Sequence, residues 1–155
     1  MSDLFPELTS VLELKWKKLD ESAVIPSYKT SGAACFDISY CGPNIEIKYG
    51  SVFKLCTGLA VEIPQGYEMQ VRSRSGFSTE NGIMIVNGIG TIDSDYRGEL
   101  IVPVVKIFPG FSVMITSGTR IAQGCLQKVC RVEHVQVSDL SDTARGTGGF
   151  GSTGK

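Results

Sequence analysis

The chain has 155 residues, 42% of them hydrophobic and 20% charged, and a formal net charge of −1. That length makes one domain with a real core, and the near-neutral balance gives no global field for nucleic acid or an anionic membrane. No apolar run approaches the roughly 20 residues that a bilayer-spanning helix needs. Residues 1–20 read as an N-terminal arm. Leu4, Leu8, Val11 and Leu12 fall near helical spacing, and Leu12–Lys17 then alternates as a strand. With Asp3 and Glu7 and no basic stretch, this end resembles neither a signal peptide nor a transit peptide.

From there the punctuation is that of an all-β protein. Short β-rich runs recur at 34–39, 44–48, 51–63, 67–73, 83–86, 99–107, 111–116, 120–123 and 125–137. Gly, Pro, Asn and Asp clusters such as Cys41–Asn44, Pro64–Gly66 and Pro109–Gly110 separate them. Strands this short and numerous predict a distorted jelly roll or barrel-like sandwich over residues 21–137. The one helix expected in this region is a bare turn around Thr79–Asn81. Residues 138–155 read as a polar linker and a Gly-rich tail. Cys35, Cys41, Cys56, Cys125 and Cys130 form no C-x-x-C pair, which predicts free thiols and a reducing, cytoplasmic setting.

Asp37 is the first chemical signal, a carboxylate inside the apolar run Ala34–Ser39. Burying it unpaired is costly, so a cation, a hydrogen-bond donor or a hydrated metal is expected beside it. Glu68–Gly76 begins as a strand and ends in a Ser-Gly turn. Arg72 and Arg74 then share a face, and Arg74, Ser75 and Gly76 offer a guanidinium, a hydroxyl and open backbone to phosphate oxygens. The early glycines of Asn87–Gly98 suit a tight hairpin whose backbone reads a base edge, with Asn87 as an extra donor and acceptor. Asp93 and Asp95 follow; extended backbone would aim both the same way and set one up as a general base. Read blandly, the same pair are turn aspartates. Arg120 and Gln123 offer a cation and an amide after the Ser117-Gly118 turn, a weak signal alone. His134, the single histidine, sits on an alternating run and reads as a surface strand residue; no catalytic triad or zinc pattern exists.

The tail Arg145–Lys155 carries one aromatic, three hydroxyls and two cations on a backbone with five glycines. A segment so poor in apolar surface either stays solvated or orders over a ligand. Its chemistry suits phosphate, and Phe150 supplies a flat face for a base, so it reads as a lid. Gly149–Lys155 mimics a phosphate-binding loop but lacks the hydroxyl after the lysine and the helix that follows, so it is not one.

In this order the segments resemble the trimeric deoxyuridine triphosphatases along nearly the whole chain, from about Val24 to Lys155. Five family motifs look present, at Ala34–Ile38, Arg74–Ser78, Asn87–Gly98, Gly118–Gln123 and Arg145–Gly154. The third and fifth are the specific ones. The resemblance implies a homotrimer with sites shared between subunits, cleaving dUTP to dUMP and pyrophosphate with Mg2+. It implies that Asp93 activates the attacking water and that Asn87 and the Gly88–Thr91 backbone read uracil, with Ile92 following at the site. It further implies that Tyr96 lies under the deoxyribose and excludes a 2′-hydroxyl. Arg74, Ser75, Gly76 and Gln123 would hold the α- and β-phosphates, and Asp37 would orient the waters of the Mg2+. Arg145, Gly151, Ser152 and Thr153 would engage the γ-phosphate end while Phe150 stacks over uracil.

Departures from the family pattern fall at Cys35, usually Gly, at Ser73, usually Pro, at Phe77-Ser78, often Leu-Ala, and at Lys106-Ile107, where an Asn is common. None removes a catalytic group. Two rivals follow: a dCTP deaminase of the same fold, which needs a different base pocket, and a nucleotide-gated protein that contacts a partner. No polymeric nucleic acid or membrane is expected as a partner.

Overall fold

The computed structural model describes residues 11–150. Among them run eleven strands and one short helix. In chain order these are β1 (Lys15–Lys18), β2 (Phe36–Ser39), β3 (Ile45–Ile47), β4 (Val52–Cys56), β5 (Leu59–Glu62) and β6 (Tyr67–Ser73). Then come α1 (Ser75–Asn81), β7 (Ile83–Ile85), β8 (Ile89–Ile92), β9 (Ile101–Lys106), β10 (Val113–Ile115) and β11 (Arg120–Lys128). They form antiparallel sheets in the orders β1-β5, β10-β3, β2-β11-β6-β8 and β4-β9-β7.

One side of every sheet feeds a single core. Ile38, Ile47, Leu55, Val61, Met69, Ile85, Val104, Ile115 and Ile121, drawn from nine different strands, are buried in one cluster. Period-2 alternation does the sorting: along β9, Val102, Val104 and Lys106 are buried while Ile101, Pro103 and Val105 are not. Each fully buried aliphatic side chain contributes about 1.5–3 kcal/mol. Trp16 and Tyr28 meet the Phe36 ring edge-on, at 5.9 and 5.6 Å between centroids. The five cysteines are all free thiols. No helix among the described residues is long and apolar enough to cross a membrane.

Several boundaries differ from the sequence expectation. The run 51–63 is two strands, broken at Thr57 and at Gly58, whose φ is +66°. The runs 120–123 and 125–137 become one strand that stops at Lys128, because β6 begins at Tyr67, directly opposite. Val129 donates a last bond to the Gly66 carbonyl, and the ladder has no further partner among the described residues. His134 therefore lies on exposed irregular backbone, not on a strand. β1 starts at Lys15 rather than Leu12; the helical spacing through Leu4 and Leu8 falls outside the described residues.

Candidate active site

β11 is the axle of the site. As the longest strand it pairs with β2 on one side and β6 on the other, so Gln123 stands between Asp37 and Arg72 on one rung. Beside that rung, Asp37 Oδ1 accepts a hydrogen bond from Arg74 Nε at 2.7 Å and Oδ2 one from Arg120 Nη1 at 2.8 Å. Arg74 also donates to the Arg120 carbonyl at 2.8 Å, and Gln123 Nε2 donates to the Ser73 carbonyl at 3.0 Å. Of the partners foreseen for Asp37, two cations are present. Burial pushes the Asp37 carboxyl up, but the bonds and charges of Arg120 and Arg74 outweigh it and hold it below the usual carboxylate range.

Arg72 does not join this group. It turns back to Gln70 on its own strand, with bonds of 3.2 and 2.7 Å to Oε1. Ser75 and Gly76 open α1 rather than forming a turn. Five weak helix formers among its seven residues, Ser75, Gly76, Ser78, Thr79 and Asn81, hid all but the turn expected at Thr79–Asn81. Buried Phe77 pins it to the core, and Ser78 N–H donates to the Arg74 carbonyl at 2.9 Å.

The Asn87–Gly88 segment is also corrected. It is not a hairpin between paired strands, since β7 pairs with β9 and β8 with β6. It carries the chain from one sheet to the other, and Gly88 takes φ +72° to do so. Beyond β8 the chain turns at Asp93–Tyr96, with Tyr96 N–H donating to the Asp93 carbonyl at 3.2 Å. Asp93 and Asp95 are thus turn residues, and the extended alternation expected of them does not apply. Tyr96 Oη donates to the Glu99 carbonyl at 3.0 Å. A cleft of about 170 Å³ brings together Thr91, Ile92, Asp93 and Tyr96 with Glu99 and Ile101. A larger open hollow of about 760 Å³ lies on the other side of the turn, against Glu62, Glu68, Asp95 and Arg97. Asp93 borders this hollow as well, and Arg131 adds a second cation to its wall.

These two groups stand far apart within one chain. Ile92 pairs with Met69, so Asp93 falls opposite Glu68 at one end of β6, while Arg74 follows its other end. Six residues of strand separate them (74 − 68), roughly 20 Å. Arg145 bonds locally, Nε to the Gly148 carbonyl at 2.9 Å, and Phe150 is fully exposed with φ +49°. Gly151, Ser152 and Thr153 lie outside the described residues. Sequence reasoning undervalued Arg120, whose pairing with Asp37 depends on a strand register that spacing alone does not reveal.

The dUTPase family model matches residues 21–154, nearly the whole β framework and the tail. The chain belongs to the dUTPase family. Deoxyuridine 5′-triphosphate nucleotidohydrolases of Wolinella succinogenes and Nautilia profundicola are 44% and 46% identical to it over 144 residues. Each alignment covers 93% of this chain, and 95% and 100% of those proteins respectively. Among solved structures, a mutant dUTPase of Staphylococcus bacteriophage 80alpha with dUpNHpp superimposes with a TM-score of 0.79 at 26% identity. It covers 94% of this chain and 100% of that one. A mutant dUTPase from phage phi11 of S. aureus, described with a structural Mg(II) ion, has a TM-score of 0.73 at 22% identity. It covers 83% of this chain and 98% of its own, and shares the fold.

Proposed function

We propose that the protein hydrolyses dUTP to dUMP and pyrophosphate, keeping uracil out of DNA and supplying dUMP for thymidylate synthesis. The observation that carries this reading is the cleft holding Asp93 together with Thr91, Ile92 and Tyr96 in a chain of the dUTPase family. Asp93 takes a proton from the water that attacks the α-phosphorus. Asn87 and the backbone of Gly88–Thr91 hydrogen-bond the uracil edge, and Tyr96 lies against the sugar where a 2′-hydroxyl would clash.

Arg74, Ser75, Gly76 and Gln123 take the α- and β-phosphates. Asp37 supports them by fixing the Arg74 guanidinium through Nε, so that its planar fork is preorganised. Arg145, Gly151, Ser152 and Thr153 close on the γ-phosphate and Phe150 covers the base, excluding water as the lid orders. Positioning and charge neutralisation are most of what phosphoryl chemistry needs.

The family implies Mg2+, and the donor set fits one role for it. No group of three His, Cys, Asp or Glu among the described residues makes a protein cage. Asp37 accepts one guanidinium bond on each oxygen, which leaves lone pairs for metal-bound waters. Mg2+ keeps waters and binds substrate phosphates readily, so Asp37 would hold it through water. Held there by Asp37, the ion would supply charge neutralisation at the phosphates.

Asp93 and Arg74 lie roughly 20 Å apart along one chain, too far to act on one phosphate. This supports a homotrimer in which each site takes Asp93 from one subunit, Arg74 from a second and the tail from a third. Pyrophosphate release from dUTP, dCTP, dTTP and UTP, each with Mg2+ and with chelator, tests the reading. Release from dUTP alone, lost on chelation, is expected; a deaminated product, or release from none, overturns it.

A further inference from the structure

The helix that presents Ser75 and Gly76 has little of its own to hold it. It is seven residues long, its N-cap Arg74 makes no side-chain capping bond, and its first turn has no acid and its last turn no base. Only Phe77 of the seven is buried, and the buried Ser78 hydroxyl has no partner among the described residues. So short a helix is unstable by itself, and its position is set from outside.

The outside support comes from the end of β9. Lys106 is 5% exposed and belongs to the inward-facing row with Val102 and Val104, where an amine is costly unless bonded. Its Nζ donates to the carbonyl of Asn81, the last residue of α1, at 2.8 Å. Next to it, Ile107 N–H donates to the Gly82 carbonyl at 2.8 Å. Gly82 is the C-cap at φ +62°, and a Cβ there would strike the Phe108 side chain at 2.7 Å. The anchor is itself fixed: Lys106 pairs with Ile83 in the sheet, and its carbonyl accepts from Gly50 N–H at 2.9 Å.

We infer that Lys106 is a positioning residue for phosphate binding, a latch from β9 onto the C-terminal end of α1 that sets where Ser75 and Gly76 stand. The inference rests on the reading of those two residues as phosphate ligands. It also gives a role to an inward lysine at a position where the family pattern often has Asn. Asn81 Nδ2 donates to the Phe77 carbonyl at 2.9 Å, and the lysine adds from a neighbouring strand the charged donor that the last turn of the helix lacks. Its loss frees the far end of a two-turn helix, and the donors at the near end lose their preset geometry.

The test compares wild type with Lys106→Met, which keeps the apolar stem and removes the donor. With dUTP, KM is expected to rise about tenfold while kcat stays within about twofold, because the grip on the phosphates loosens before Asp93 is touched. Inhibition by inorganic pyrophosphate should weaken by a similar factor, and the amides of Ser78 and Gly82 should exchange faster with solvent. If Lys106→Met does not fold, Lys106→Gln, too short to reach the carbonyl, is read the same way. Unchanged KM and pyrophosphate inhibition beside a lowered Tm would reduce Lys106 to a stabilising residue and overturn the inference. Wild type that fails to hydrolyse dUTP would instead overturn the functional reading beneath it.

Discussion

A carboxylate on an apolar strand is tolerable only because two guanidinium groups meet it, and Asp37 is the clearest case of residue chemistry fixing site geometry. Arg74 is more buried than Arg120, with side chains 23% and 50% exposed, and both guanidinium groups hold the carboxylate ionised. Asp37→Asn keeps the shape and loses the charge, and is expected to cost about 2 kcal/mol at neutral pH. Because the folded-state pKa is depressed, this stabilisation is whole above the ordinary carboxylate value of about 3.9 and is lost as pH falls below it. Urea midpoints of the two proteins should therefore differ at pH 7 and converge toward pH 3; a gap that persists in acid would mean that Asp37 stabilises without its charge. Asp93 is a separate matter, exposed and at a turn. Asp93→Asn should lower kcat by about 10²–10⁴-fold while an imido analogue of dUTP still binds, as loss of a general base predicts. Normal turnover by that variant would remove Asp93 from the mechanism.

At the level of elements, period-2 patterning recovered most strands because each sheet has one wet side and one core side. The run 67–73 coincides with β6, and 44–48, 99–107 and 111–116 each contain their strand within a residue or two of both ends. What failed depended on tertiary partners. α1 starts four residues before the turn expected at Thr79–Asn81, because Phe77 finds a place in the core and β9 holds the far end, and β11 stops where β6 stops offering bonds. Of the candidate site, residue type and spacing single out Asp37, Arg74 and Asp93 as candidates, Gln123 only weakly, and Tyr96 only through the family resemblance. The pairing of Arg120 is hidden, because its partner lies 83 residues away. The turn after β8 supports one further prediction. A Cβ at Gly98 would run into the Tyr96 phenol, which spans the turn to reach the Glu99 carbonyl. Gly98→Ala should displace that ring, and the ratio of kcat/KM for dUTP over UTP should fall at least about tenfold if Tyr96 guards the sugar. An unchanged ratio would show that the ring is not the gate.

Across the whole molecule, two groups of apolar side chains stay uncovered among the described residues. The outer side of the β4-β9-β7 sheet lines Val52 up with Val105 and Met84, and Val86 lies beyond, with Val52 58% and Val86 44% exposed. Residues 129–150 carry exposed Val132, Val135, Val137 and Leu140 without a strand partner among the described residues. Both features suit association with further copies, and under the proposed roles of Asp93 and Arg74 their separation calls for groups from different copies at each site. This has a consequence that no single-chain site shares. Asp93→Asn and Arg74→Ala should each abolish turnover alone. Refolded together from an equal mixture, they should regain activity, because some sites then draw an intact Asp93 from one variant and an intact Arg74 from the other. Random assembly of a closed homotrimer puts that recovery at roughly a quarter of wild-type sites. Sedimentation of a species three times the 16.7 kDa chain checks the assembly itself. A mixture that stays inactive while sedimenting as a trimer would mean that both groups serve the same chain, through a rearrangement of β6 and β8 that their paired register opposes.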